Sequence, residues 1–232
     1  MRTTLYTLTI LSLLISGCNP NKEQSTASPL SKIEANMTEG AVSSMSWMNP
    51  PQSLLTKNNS LRVTVNEGTD FFNNPEDSSV VGSAPYLYET IEGDFVAKAL
   101  VQPDFSAQWN AVALMAHLDS LNWIKFAFEN SDATGPSIVS VVTKGTSDDA
   151  NGVVMNEEMK VWLAIARKGN NYSMHWSLDG KNFKMTRLTS MPNQNAVKIG
   201  IEAQSPVGES VTHQIHFFQT EQTSVENLRN IN

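Results

Sequence analysis

Asn122-Trp123-Ile124-Lys125-Phe126-Ala127-Phe128-Glu129 changes character at every step. This is the two-residue period of a β-strand, whose successive side chains point to opposite faces. Ile124, Phe126 and Phe128 share one face, apolar enough to enter a core. Trp123, Lys125, Ala127 and Glu129 share the other and bring an aromatic ring, a cation and a carboxylate together. The second face is where function is expected.

Working outward, further short strands follow at regular intervals. Ala111 to Leu118 joins the central strand through Asp119-Ser120 in an expected hairpin. Leu61 to Val65, Phe95 to Val101, Ile138 to Thr143, Val161 to Arg167, Tyr172 to Ser177, Phe183 to Leu188, Val197 to Ala203 and Thr212 to Thr220 are separated by Gly, Asn, Asp and Pro turns. About ten strands with no alternating helices predict an all-β fold, two packed antiparallel sheets in a jelly-roll β-sandwich. The expected domain spans 43–221, with a C-terminal tail at 222–232.

The N-terminus reads differently. Arg2, an apolar run from Leu5 to Ile15, and Leu14-Ile15-Ser16-Gly17-Cys18 form a signal peptide over 1–17. The run is about half the roughly 20 residues that a membrane span requires. The Cys18 setting resembles the bacterial lipobox, so lipidation of Cys18 is expected, with 18–42 a flexible tether rich in Ser, Thr, Asn, Glu and Pro. The single cysteine permits no internal disulfide. Asn19 lacks the aspartate associated with inner-membrane retention, which points to a lipid-anchored protein of the cell envelope at the outer membrane. Removing Arg2 with the signal takes the formal charge from −7 to −8. An acidic chain without clustered Lys and Arg argues against nucleic acid as a partner.

From Trp47 to about Phe218 the sequence resembles the family called domain of unknown function 1349. The resemblance rests on Thr69-Asp70-Phe71-Phe72, Tyr86-Leu87-Tyr88, Gly93-Asp94-Phe95, Leu114-Met115, Asn122-Trp123-Ile124-Lys125 with Glu129, and Val141-Val142-Thr143 with Ser147-Asp148. Later in the chain it rests on Trp162-Leu163, Arg167 with Gly169, Ser177-Leu178-Asp179-Gly180, Arg187-Leu188, and Gly200 with Ser205-Pro206-Val207-Gly208. The resemblance implies a concanavalin A-like lectin and glucanase sandwich and a role with carbohydrate. The chain departs from the family's pattern at Trp109-Asn110-Ala111-Val112-Ala113, where Tyr-Asp-Gln-Ala-Gly is frequent, and at Phe72, Asp149 and Ala164, where Trp, Trp and Arg are frequent.

Sugar binding needs flat aromatic faces for the apolar side of a pyranose and polar groups for its hydroxyls. Trp109, Asn110, His117, Trp123, Lys125, Glu129 and Asp148 are the candidate ligand-binding residues. The plainer reading makes Trp123 sheet packing, Lys125–Glu129 an ion pair and His117 a half-buried strand residue. Catalysis by a glycoside hydrolase would need two flanking carboxyl groups. Glu129 is the best candidate, but a Glu-x-Asp-x-x-Glu run is absent. Asp132, Asp148, Asp149 and Asn151 are oxygen donors without EF-hand spacing and read as a solvated loop, so no metal and no cofactor is expected. Arg187 reads as an ion pair at the sandwich edge with Asp179 as its partner. The expected function is carbohydrate binding on a concave sheet face. The alternatives are a hydrolase on the same face, or a structural envelope lipoprotein whose face is filled by its own loops.

Overall fold

The computed structural model describes Met1, residues 35–155 and residues 157–232. The signal peptide, Cys18 and most of the expected tether lie outside the described residues. After a short helix, α1 (Glu39–Ser43), the described residues hold sixteen strands. In chain order these begin with β1 (Ser46–Met48), β2 (Ser53–Lys57), β3 (Ser60–Val65), β4 (Phe71–Asn73), β5 (Val80–Gly82), β6 (Tyr86–Glu92), β7 (Phe95–Gln102) and β8 (Ala111–Asp119). They continue with β9 (Asn122–Ser131), β10 (Gly135–Lys144), β11 (Thr146–Val154), β12 (Val161–Lys168), β13 (Asn171–Ser177), β14 (Lys184–Ser190), β15 (Ala196–Gln204) and β16 (Val211–Glu221).

Two seven-stranded antiparallel sheets form the all-β sandwich, in the orders β1-β6-β15-β8-β9-β10-β11 and β14-β13-β12-β7-β16-β3-β2. The expected alternation of the central stretch holds. Ile124, Phe126 and Phe128 enter the core between the sheets beside Leu114, Leu163, Ile165, Ile199 and Ile201. Burial of each such side chain stabilises the fold by about 1.5–3 kcal/mol. The second sheet's outward face is covered by the C-terminal segment, with Ile231 packed against the cluster of Trp162, Ala164 and Phe183. His175 Nε2 lies 3.1 Å from the Leu228 carbonyl, and the Phe183 N–H donates to Asn232 Oδ1 at 2.7 Å.

Two expectations about organisation are corrected. The packed chain begins well before residue 43: Met37 is 1% exposed, and the Asn36 side chain donates to the Phe218 carbonyl and accepts from the Phe218 N–H. An apolar residue and a bridging amide fasten this segment to β16. Second, the loop expected around Asp148 to Asn151 is β11, an edge strand paired with β10. Its exposed acidic side chains hid it, because an edge strand needs no apolar alternation. Phe71–Asn73 and Val80–Gly82 also form a separate hairpin, with Phe71 and Asn73 buried and Val80 exposed.

Candidate functional site

Register fixes what shares the outward face of the first sheet. Lys125 lies across from Met115 on β8 and Val141 on β10, and Val141 lies across from Asp149 on β11. Glu129 pairs with Ala111, which pairs with Gln204 on β15, and Ala127 pairs with Ala113, which pairs with Glu202. Three alanines therefore floor the space between Glu129 and Glu202. All three are fully buried, so the chain itself covers them.

At the centre is Lys125, only 2% exposed. Its ammonium donates to Asp70 Oδ1 at 2.9 Å, to the Phe71 carbonyl at 2.9 Å and to Gln204 Oε1 at 2.7 Å. An ammonium has three N–H donors, so all are occupied. Burial alone would lower the pKa of Lys125, but the neighbouring charges of Asp70, Glu202 and Glu129 outweigh it and raise the pKa.

The carboxyl groups around it behave in the opposite sense. Glu129 is pushed up to about 8, first by burial. Lys125 pulls it back, and the negative charges of Asp149, Asp70 and Asp132 add to the rise. Glu202 is also pushed up to about 8, by burial and by Asp70 and Glu129 against the pull of Lys125. Neither carboxylate oxygen of Glu202 has a hydrogen-bond partner among the described residues, although the residue is 0% exposed. A buried carboxyl with unused acceptor capacity is costly unless something completes it.

The other candidate residues fall into three positions. Trp109 stays half-buried at the margin, where its backbone adopts the left-handed region with φ 59°. That conformation is unusual for a residue with a side chain. It is held from both sides, by the Trp109 N–H donating to the Asn130 carbonyl at 2.8 Å and by Gln204 Nε2 donating to the Trp109 carbonyl at 2.9 Å. Asn110 is fully buried and fastens the same loop: its Nδ2 donates to Ser205 Oγ at 3.1 Å and its Oδ1 accepts from the Ala107 N–H at 2.6 Å. Its amide is an anchor for the loop rather than a free group.

His117 and Trp123 lie under the β4–β5 hairpin. Phe71 meets the Trp123 ring edge-on at 6.1 Å and the His117 ring at 6.2 Å, and Trp123 is 1% exposed. Burial and the nearby Lys198 lower the His117 pKa. The hairpin is tied down by Asn73, whose N–H donates to Ser147 Oγ at 2.9 Å and whose Nδ2 donates to the Gly145 carbonyl at 2.9 Å. This half of the face is thus filled by the chain itself, and Trp123 offers no stacking surface. Asp148 lies across from Val142, a core-facing residue, and so points away from Glu129. It pairs with Arg187 at 2.6 Å. The edge ion pair expected for Arg187 exists, but with Asp148, because Asp179 accepts from the N–H groups of Lys181 and Asn182 within its own turn.

Sequence reading missed Glu202 and Gln204. The alternation of Lys198, Gly200, Glu202 and Gln204 against Val197, Ile199, Ile201 and Ala203 was the available signal. What it does not carry is the strand order that puts β15 beside β8.

Residues 47–223 match the family described as protein of unknown function, DUF1349. The chain belongs to the DUF1349 family. One relative, named regulation of enolase protein 1, from Saccharomyces cerevisiae, is 25% identical over 174 residues, which are 75% of this chain and 86% of the relative. Among solved structures, a functionally unknown protein from Saccharomyces cerevisiae superposes with a TM-score of 0.74 at 22% identity, covering 79% of this chain and 99% of that one. The GH43 BlXynB protein from Bacillus licheniformis gives 0.61 at 14% identity, over 82% of this chain and 38% of that one. The carbohydrate-binding module CBM66 from Bacillus subtilis gives 0.50 at 11%, over 75% and 94%. At these identities the structural likenesses establish the β-sandwich fold.

Proposed function

We propose that this DUF1349 sandwich binds carbohydrate on the outward face of its first sheet, at the end marked by Trp109, Glu129 and Glu202, and that lipidated Cys18 holds it at the outer membrane as an accessory to polysaccharide binding or utilisation. The observation that carries the reading is the margin where the half-buried Trp109 stands beside the end of β9 and Glu129 keeps 7% of its surface open, with the unpartnered carboxyl of Glu202 behind them. Sugar hydroxyls are donors of the kind such acceptors lack, and Trp109 at the margin supplies a flat apolar surface. The fold likeness to a carbohydrate-binding module, matched over nearly its whole length, and to part of a GH43 protein supports the same ligand class.

A second reading, glycoside hydrolysis on this face, has one specific observation in its favour. Glu129 and Glu202 are two carboxyl groups with pKa values raised to about 8, as a general acid needs near neutral pH. Binding is the preferred reading because the fold likeness spans 94% of the carbohydrate-binding module but only 38% of the GH43 protein.

The test is a glycan-array screen of residues 32–232, the compact unit, with mass spectrometry of every bound glycan. Saturable binding of intact glycan supports the reading. Cleavage transfers the site to the hydrolase reading, and no binding across neutral, basic and acidic glycans refutes it. For the anchor, Cys18→Ala should release the protein from the membrane fraction, and retention there would exclude lipidation at that residue.

A further inference from the structure

Gln204, the last residue of β15, has both ends of its amide engaged. Its Oε1 accepts from the Lys125 ammonium at 2.7 Å, and its Nε2 donates to the Trp109 carbonyl at 2.9 Å. The residue is 1% exposed, so losing either bond would strand a buried polar group. Lys125 lies 79 residues away in sequence and Trp109 95 residues away. One side chain thus ties the centre of the sheet to the loop at its margin.

Chemistry fixes the direction of that tie. An ammonium only donates and a carbonyl only accepts. Turned over, the Gln204 amide would set its NH2 against the Lys125 ammonium and its oxygen against the Trp109 carbonyl, and both bonds would be lost. Lys125 is not free to turn away, because its other two donors are held by Asp70 and the Phe71 carbonyl. The buried cation thereby selects the amide orientation in which a donor faces Trp109.

Trp109 is where that donor is needed. Its φ of 59° places a bulky residue in the left-handed region, which is sparsely populated and persists only where the surroundings enforce it. The Asn130 carbonyl holds the Trp109 N–H at 2.8 Å, and Gln204 holds the Trp109 carbonyl. These two bonds fix the peptide on each side of the Trp109 Cα, and with them the direction in which the half-buried ring leaves the backbone.

We infer that Gln204, oriented by Lys125, is a positioning residue for glycan binding: it touches no sugar, and it sets the backbone of Trp109 so that the ring stands ready at the margin before a ligand arrives. The inference rests on the carbohydrate reading and names what preorganises its aromatic surface. Preorganisation raises affinity because the ordering cost is met in the free protein.

Two substitutions separate the two bonds. Gln204→Met keeps the length of the side chain and deletes both. Gln204→Glu keeps an acceptor for Lys125, whose adjacent charge favours the ionised form of the new carboxylate, and deletes only the donor to Trp109. Residues 32–232 labelled with 5-fluorotryptophan give five fluorine resonances, one for each tryptophan, and Trp109→Phe identifies the line of Trp109. In both variants that line is expected to shift and broaden, while the lines of Trp162 and Trp176 on the second sheet stay in place. On the glycan array each variant should bind at least about tenfold more weakly than the parent protein, the scale of losing one well-placed aromatic contact. Gln204→Glu should keep the parent's urea midpoint, which a merely structural role would not allow. A Trp109 line that moves in Gln204→Met but not in Gln204→Glu would overturn the inference, since Gln204 would then serve only to satisfy Lys125. A displaced line with unchanged affinity would overturn it as well. Should one variant fail to fold, an unmoved Trp109 line in the other overturns it. An array on which the parent protein binds nothing would overturn the carbohydrate reading and the binding role with it, while the fluorine spectra separately decide whether Gln204 holds Trp109.

Discussion

Lys125 Nζ and Asp70 Oδ1 stand 2.9 Å apart across 55 residues of sequence, with side-chain exposures of 3% and 22%. The pair joins the centre of the sheet to the base of the β4–β5 hairpin, and the same ammonium also holds the Phe71 carbonyl. Removing one member of a buried pair leaves the other uncompensated, at a cost of about 3–5 kcal/mol. Lys125→Ala is therefore expected to lose stability of that order in denaturant unfolding. Adding Glu202→Gln should recover part of it, since Lys125 also compensates Glu202. A double-mutant cycle measures the coupling, and strictly additive losses would show that Lys125 and Glu202 do not act on each other.

Two tryptophans separate binding from packing. Trp109→Ala removes a half-buried ring at the margin and should weaken glycan binding while leaving the unfolding midpoint nearly unchanged. Trp123→Ala empties a site enclosed by Phe71 and should cost about 3–5 kcal/mol. Calorimetric affinity and denaturant midpoints for both variants decide this, and a large stability loss in Trp109→Ala would place its ring in the packing.

Gly200 meets the backbone of β6. A Cβ there would lie 1.9 Å from the Leu87 carbonyl oxygen and 2.6 Å from Tyr88 Cα. The obstacle is backbone rather than a movable side chain, so Gly200→Ala should cost at least the roughly 1–3 kcal/mol of an overpacked core. Its thermal midpoint should fall below that of a surface control such as Gly68→Ala, where nothing lies within 4 Å and only the positive φ opposes the change.

Much of this fold was legible from residue order alone, because a two-residue period with β-branched and aromatic residues has one structural meaning. Ile124, Phe126 and Phe128 were assignable to the core for that reason. The candidate site was legible only in half. Glu129 declared its face through the same period, but Glu202 acquires meaning from its strand neighbour Ala113, 202 − 113 = 89 residues away in sequence. Asp148 and Asp149 illustrate the limit: adjacent in sequence, they point to opposite faces. Without the register of β11 against β10, nothing in the sequence says which of the two faces Lys125. Trp123 misled because an aromatic residue on the outward face reads as a ligand platform unless the hairpin that covers it is known.

Proton linkage gives a signature with opposing parts. Glu129 and Glu202 have folded pKa values near 8, above the ordinary 4.5. The folded state therefore binds more protons between those values, and their contribution to stability is lost as pH rises through 8. His213 is the reverse. Its ring accepts from the Asp104 N–H at Nδ1 and lies 3.0 Å from the Gln204 carbonyl at Nε2, and burial lowers its pKa to about 4. The unfolded state takes up its proton first, so stability falls as pH drops from 6.5 toward 4. Stability should thus decline between pH 6.5 and 8, and Glu202→Gln should flatten that decline; between 4.5 and 6.5, where Glu202 and His213 act in opposite senses, the same change should make the fall toward acid steeper. Urea midpoints across the range test this, and an unchanged alkaline slope would show that Glu202 ionises normally.

The C-terminal segment makes the last prediction. Ile231 packs against the cluster of Trp162, Ala164 and Phe183, and the Lys168 ammonium donates to the carbonyls of Val225 and Glu226 at 3.0 and 3.1 Å. Deleting residues 224–232 uncovers Trp162, which is 3% exposed. Tryptophan emission should shift to longer wavelength, with a stability loss of about 1.5–3 kcal/mol, the scale of one buried apolar side chain. Ile231→Ser should reproduce most of that loss if the apolar contact is what holds the segment, and little of it if the lysine and Asn232 hydrogen bonds do. Glycan affinity should be the same in all three proteins, because the segment covers the second sheet while Glu129 and Glu202 lie on the outward face of the first. A parallel fall in affinity would mean that the two faces are coupled through the core, and would move the search for the ligand to the surface around Trp162.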